Sequence, residues 1–582
     1  MCQMRTVIRA VLGGCVALGT LVPVAAGAMG CAVPKIAKLV AHGGERLLRE
    51  RAAGTPPSSP EKPPILYLAF DGVDRDLLYD MLRKGKLPHL ASLLGGVAGP
   101  AGTQFAHAHF DEHLLSTLPS STMAAWATTM TGVGPAEHGI TGNEYFVREK
   151  RMFACPAPVS FSDATATLEI FTDGYMNELS GAPSVYERMR EKDPNALIWV
   201  GMHDLYRGAD ELLLTKRGVL ADAFEGFIEV ETKKVLKDEE SRKLYAKLDE
   251  AVIDTVADHV AKGPVPDVLT VYFSGTDLYA HVANEGPDAA RRAYLEEVVD
   301  PHLPKLIDAL KARDALARRW VVLSADHGHT QVVHDDAHAL STKDDEDPPG
   351  VLKKTGFRVR PFTRNVSEKD DFSAVLAYGG AMAYVYLADR SGCPKEKTVC
   401  DWKQPPRYEE DVLAVAEAFH KNNEDGSLVP PMRGTLDMIL TRRPKPFAEV
   451  DAPFEVYVGG GKTVPVDAYL KEHPHPTYVA MDARLRDLGV GPHGERAGDI
   501  LLLAHNGDRD NPLDRYYFAA PYRSWHGSPS KQDSEIPLIV ANPLHSSATI
   551  GAWVKGVLGD RPFQQKVTDV LLGLRAGAMG GK

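Results

Sequence analysis

ILYLAFDG, residues 65–72, is an apolar run closed by Pro64 on one side and Gly72 on the other. It has no alternation of polar and apolar residues, so it reads as a strand buried on both faces, the kind of which parallel sheets are made. Asp71 lies at its carboxyl end. Beyond it, residues 74–84 have helical spacing, with Leu77, Leu78, Met81 and Leu82 on one face. Ser184-Val-Tyr-Glu187 is a capping box that opens a helix to Glu191. A strand over 196–201, a helix over 240–261, the strand Val268–Phe273, a helix over 287–313 and a strand over 320–324 follow in alternation. This rhythm predicts an α/β fold, with a large, mostly parallel central sheet sandwiched by helices.

The alternation breaks between about 335 and 480, where short strands (383–387, 435–440 and pieces of 454–464) surround a helix over 408–421. That region reads as an insertion or cap. Core strands then return at 499–504 and 536–541. The expected division is a catalytic domain over 64–545 carrying the insertion, then a C-terminal helical tail over 546–582.

Within the domain, residues 118–143, LPSSTMAAWATTMTGVGPAEHGITGN, contain a turn at Pro119-Ser120-Ser121, a short helix from Thr122 and a Gly/Pro-punctuated loop. Thr122 sits at a helix start, beside free N–H groups and the positive dipole end, a natural place to hold phosphate. Alone, a Thr there is usually just a cap.

Three strands run into ligand-type residues: ILYLAF into Asp71, VLTVYFSGT into Asp277 with His281 four residues on, and WVVLSA into Asp326-His327. His526 stands in a Gly/Pro loop, SWHGSPS, before the last core strand. Singly, each is a turn Asp or a hydrogen-bonded His. Open α/β sheets, however, collect ligands at the carboxyl ends of their strands, so these residues are expected to converge. Carboxylates and imidazoles without thiolates suit Zn²⁺ in an open catalytic site, other divalent cations being the alternative. Two such ions about 4 Å apart can bind a nucleophile and a substrate oxygen together.

The order Asp71, Thr122, Asp277-x-x-x-His281, Asp326-His327, His526-Gly527 resembles the alkaline phosphatase superfamily, in its type I phosphodiesterase/nucleotide pyrophosphatase branch. The resemblance runs from about 64 to 545 and includes Gly132, Pro135 and Glu137-His138-Gly139-Ile140 after Thr122. It implies one zinc on Asp71, Thr122, Asp326 and His327, a second on Asp277, His281 and His526, and an amide at Asn143 for a phosphate oxygen. It also implies attack by Thr122 on phosphorus and a phospho-threonine intermediate that is then hydrolysed. Departures are Ala280 where Gly is frequent, Ala124-Ala125-Trp126 in place of more polar residues, and His329 where Met is usual after Asp-His-Gly.

Composition restricts the partners. The formal charge is −12, with no basic run. That argues against binding a nucleic-acid polymer or an anionic membrane through general electrostatics, while a local positive field from bound metal can still attract a small anionic substrate such as a phosphate ester. Residues 1–30 carry Arg5 and Arg9, then an apolar stretch ending in Ala26-Gly27-Ala28, which reads as a signal segment. Cys31 after Met29-Gly30 resembles a bacterial lipoprotein acylation site, and 31–63 is a Pro/Ser-rich linker. The expected location is therefore the bacterial envelope, periplasmic or lipid-anchored at Cys31. In an oxidising compartment Cys393 and Cys400 can close a small disulfide loop, and Cys155 is expected to be buried.

Two motifs are set aside. Gly459-Gly-Gly-Lys462-Thr463 is like a phosphate-binding loop but lacks its first Gly and is followed by Val-Pro, so it reads as a turn between strands. His334-Asp335-Asp336-Ala-His338 reads as a solvated loop. The sequence thus points to an exported two-zinc hydrolase of phosphodiester or nucleotide-type phosphate bonds. The alternatives are a phosphomonoesterase or phosphonate hydrolase of the same superfamily, and a non-catalytic metal-binding scaffold. No C-x-P-S-R type motif supports a sulfatase.

Overall fold

Ile65–Phe70 is a strand with all six residues buried, and it lies inside an eight-stranded sheet. Across that sheet the strands run Glu45–Leu47, Glu211–Leu213, Ile198–Gly201, Val268–Phe273, Ile65–Phe70, Trp320–Ala325, Leu538–Ala541 and Ala108–Asp111. The five from Glu211–Leu213 to Trp320–Ala325 are parallel. The flanking strands are antiparallel, so the sheet is mixed, with a parallel centre. The computed structural model describes residues 45–49, 61–160, 174–214, 238–341, 343, 345–367, 369–443, 453–507 and 511–579. The expected signal segment, Cys31 and most of the 31–63 linker lie outside the described residues.

Buried apolar side chains fill the space between this sheet and its helices. The helix Val185–Lys192 opens with the Ser184/Glu187 capping box, both of its hydrogen bonds formed. Asp238–Lys262 is one helix. The single helix expected over 287–313 is instead Pro287–Tyr294 and Asp300–Ala312, joined by a π turn at Leu295–Val299. Just past that turn Pro301 has no N–H to donate to the preceding turn.

The region read as an insertion carries a second sheet of six antiparallel strands, in the order Ala374–Gly379, Met382–Leu387, Ile500–Ala504, Leu436–Thr441, Glu455–Tyr457 and Thr463–Pro465. This corrects the expectation for 499–504. That strand pairs with Met382–Leu387 and Leu436–Thr441 in the cap, not with the central sheet. Alternate residues serve two apolar layers: Val375, Tyr384 and Leu501 in one, Leu376, Val385 and Leu502 in the other, the period-two pattern of a strand covered on both faces. Cys393 and Cys400 form a disulfide, and Cys155 is buried and outside it. The 459–463 glycine run turns between two paired strands. The C-terminal segment forms the helices Ser547–Leu558 and Lys566–Arg575. Among the described residues no helix is long and apolar enough to cross a membrane.

The cap grips the loops of the main domain. Phe146 packs edge-on against Tyr386 and Trp402, with ring centroids 5.7 and 4.9 Å apart. Tyr384 donates its hydroxyl to Thr141 O at 2.6 Å, and Ala381 N donates to His526 O at 3.0 Å. The segments on either side of Asn143 and the His526 loop therefore rest on one support.

Candidate active site

The parallel centre of the sheet is in register at its carboxyl edge, where Phe70 pairs with Phe273 and with Ala325. The next residues after two of these strands are Asp71 and Asp326, which therefore emerge side by side. Asp277 and His281 share one face of the helix Gly275–Val282, one turn apart. His526 directly follows the short strand Ser524–Trp525, which pairs with Thr330–Gln331; His329 directly precedes that partner strand. Thr122 begins the helix Thr122–Thr131, every residue of which is buried.

These elements bring the expected residues together. The Thr122 hydroxyl lies 3.1 Å from His327 Nε2. Asp326 and Asp71 approach the same nitrogen at 3.3 and 3.6 Å. Asp277 lies 3.4 Å from His281 Nε2 and 3.8 Å from His526 Nε2. The His327 and His526 rings stack at 3.6 Å. Asn143 stands at the start of the Thr122 helix, where its Oδ1 accepts from Met123 N at 3.1 Å; its NH₂ group is left to donate elsewhere.

The imidazoles are oriented by their far nitrogens. Nδ1 of His281 meets Ser524 O at 2.7 Å, that of His327 meets Gly328 O at 2.9 Å, and that of His526 meets Ser120 O at 3.0 Å. A carbonyl can only accept, so each Nδ1 carries the proton and each Nε2 presents its lone pair to the cluster. The carboxylates are arranged alike. Asp71 Oδ2 accepts from the Tyr272 hydroxyl, and Asp326 Oδ1 accepts from Gly72 N and His327 N at 3.0 and 2.9 Å. Asp71 Oδ1 and Asp326 Oδ2 are buried with no hydrogen-bond partner.

Electrostatics follow from the crowding. Burial, then the charges of Asp326 and Asp277, push the Asp71 carboxyl well above its usual range, and burial raises Asp326 as well. Burial also works against ionised Asp277, but the His281 and His329 rings hold it well below the usual carboxylate range. Burial and the His327 ring push His526 well down, and burial takes His329 down to about 3. Bare buried carboxylate oxygens facing imidazole lone pairs are costly unless a cation joins them. The donor set therefore fits divalent metal. Three groups have donor atoms all within 4.8 Å of one another: Asp71, Asp326 and His327; Asp277, His327 and His526; and Asp277, His281 and His329. Asp277, His281 and His526 do not form one such group among the described residues.

Two residues of the site were not assigned from sequence. His329 was noticed only as a departure from the family pattern. Tyr272, at the position before the last of a buried strand, carries no sequence signal for its bond to Asp71. In the set-aside loop Asp335 Oδ1 accepts from Ala337 N, His338 N and His338 Nδ1, and His338 Nε2 lies 3.0 Å from Leu513 O. His138 is buried and bonded to Thr128 Oγ1 and Ile140 N.

Comparison with known proteins supplies the family. Among solved structures the chain is similar to murine ectonucleotide pyrophosphatase / phosphodiesterase 5, with 14% identity, 88% of this chain and 95% of that chain covered, and a TM-score of 0.44. An inactive variant of that murine protein in complex with AMP gives the same values. No curated protein matches the chain at a significant level. Residues 65–429 match the family described as type I phosphodiesterase / nucleotide pyrophosphatase. With most of its length matched, the chain belongs to the type I phosphodiesterase / nucleotide pyrophosphatase family.

Proposed function

We propose that this chain is an exported, two-zinc hydrolase of phosphodiester or nucleotide-type phosphate bonds, working through a phospho-threonine at Thr122. One observation carries the reading: the Thr122 hydroxyl lies 3.1 Å from His327 Nε2, two bare carboxylate oxygens approach that same nitrogen, and the His526 and His281 rings follow in succession at 3.6 and 5.3 Å. Asp71, Thr122, Asp326 and His327 would hold one ion, and Asp277, His281 and His526 the other. Bound there, the ions supply positive charge that favours the ionised hydroxyl and offsets charge on the phosphoryl oxygens.

The chain's own groups do the rest. Thr122 forms an Oγ1–P bond while the bond from phosphorus to the leaving oxygen breaks, and that oxygen departs with its own substituent. The second ester substituent stays on phosphorus through this step. Water then attacks phosphorus, the Oγ1–P bond breaks with a proton returned to Thr122, and a phosphate monoester leaves. Asn143 donates from its NH₂ group to a phosphoryl oxygen, while its Oδ1 stays on Met123 N. The free N–H groups at the start of the Thr122 helix add to the same field. Tyr272 and the backbone N–H groups of Gly72 and His327 hold the ligands in orientation.

Export is supported by the 1–30 segment and by the Cys393–Cys400 disulfide, a feature of oxidising compartments. Hydrolysis of bis-p-nitrophenyl phosphate, measured beside p-nitrophenyl phosphate, tests the reading. The diester is expected to be preferred, activity to vanish with chelator and Zn²⁺ to restore it. Preference for the monoester would favour a phosphomonoesterase, and chelator-resistant turnover would overturn the metal reading.

A further inference from the structure

His329 is also held by its Nδ1, here against a hydroxyl rather than a carbonyl. Its Nδ1 lies 3.0 Å from Ser524 Oγ. The Ser524 hydroxyl has one proton, and it goes to Ala280 O at 2.8 Å. With its proton on Ala280 O, Ser524 Oγ accepts from His329 Nδ1–H, an arrangement that turns the Nε2 lone pair toward Asp277. That lone pair points at Asp277 Oδ1 from 2.7 Å. Without metal a proton between the two atoms satisfies this pair; a cation lying against both would take that proton's place.

The surroundings keep that space available. His329 is 2% exposed, and its ring meets His281 edge-on at 4.8 Å. Gly72 lies against it: a Cβ there would come within 2.7 Å of His329 Nε2 and 3.0 Å of Asp277 Oδ1, and the backbone φ of +67° suits glycine. The donor atoms of Asp277, His281 and His329 fall within 4.8 Å of one another.

We propose that His329 is a protein ligand of the second divalent cation, alongside Asp277 and His281, an assignment that rests on the two-cation reading above. An extra imidazole makes that site nitrogen-rich, which favours zinc-like ions over magnesium or calcium. His526, assigned above to the same ion, would complete its ligand set. The first ion's ligands are unaffected.

The test is Co²⁺ titration of the chelator-stripped full chain, followed by calorimetry and visible absorption, for wild type, His329→Met and His329→Gln. Wild type is expected to bind two Co²⁺. In both variants one Co²⁺ binds as before, while the other binds at least about tenfold more weakly with an altered absorption band. Two Co²⁺ bound with unchanged affinity and absorption in the folded variants would overturn the assignment, leaving His329 as a protonated partner of Asp277. If wild type binds no Co²⁺, the two-cation reading falls and takes this one with it. Should the His329 variants not fold, Ser524→Ala carries the test. Weaker binding of the second Co²⁺ supports the assignment, and unchanged binding overturns it.

Discussion

Asp71 and Asp326 turn their unbonded oxygens toward the same imidazole: Asp71 Oδ1 lies 3.6 Å and Asp326 Oδ2 3.3 Å from His327 Nε2. The other oxygen of each is already occupied, by the Tyr272 hydroxyl and by backbone N–H groups. Tyr272 therefore decides which Asp71 oxygen is free. Tyr272→Phe keeps the ring that packs at 5.6 Å against Trp126 and removes only the donor. Zinc affinity is expected to fall by about 10- to 100-fold, the usual effect of losing such a partner. Equilibrium dialysis checks it, and wild-type affinity would show that Tyr272 does not orient Asp71.

Thr122→Ala removes the proposed nucleophile without touching the other ligands. Turnover is expected to fall by more than about a thousandfold with the fold retained. Mass spectrometry of wild type acid-quenched during turnover of bis-p-nitrophenyl phosphate should find a p-nitrophenyl-phosphoryl group on the peptide containing Thr122. Near-full turnover by the variant would remove Thr122 from the chemistry.

Asn143→Asp separates two roles of one side chain. An oxygen remains for Met123 N, now held at 3.1 Å, so the helix start is preserved. The donor for a phosphoryl oxygen is lost and a negative charge takes its place. The expected result is a loss of about 10²–10³ in turnover with unchanged zinc content. A loss confined to stability would make Asn143 a cap and nothing more.

Outside the site, His505 Nδ1 meets Asp437 Oδ1 at 2.5 Å. That bond raises the His505 pKa. Burial works against ionised Asp437, but His505 and Tyr478 hold it below its usual range. The His505 contribution is complete below its unfolded value and is lost as pH rises through its raised folded value. The Asp437 contribution is present above the unfolded carboxylate value and is lost as pH falls through the lowered one. His505→Gln is therefore expected to cost more stability near pH 5.5 than near pH 9, values set either side of the ordinary histidine pKa. Urea unfolding at the two pH values measures this, and an equal cost at both would contradict it.

What could be read from the sequence divides along physical lines. Ile65–Phe70 was legible because a strand covered on both faces leaves an unbroken apolar run, and Asp71 because it sits directly at that run's end. The Ser184/Glu187 box was legible because a cap is local. The strand at 499–504 was misplaced because Ile500–Ala504 is equally apolar in either sheet; its partners, 382–387 and 436–441, are chosen by distant contacts. His329 was passed over for the same reason: its anchor, Ser524, is 195 residues away. Nothing near His329 in sequence sets its tautomer.

The central claim is that Thr122 stands beside two divalent cations held by residues from distant parts of the chain. Anomalous diffraction at the zinc edge from crystals soaked in Zn²⁺ tests it most directly. Two peaks are expected, one among Asp71, Thr122, Asp326 and His327, the other among Asp277, His281 and their neighbouring histidines. A well-ordered map with no peak between these side chains, or with zinc bound only elsewhere on the surface, would contradict the account.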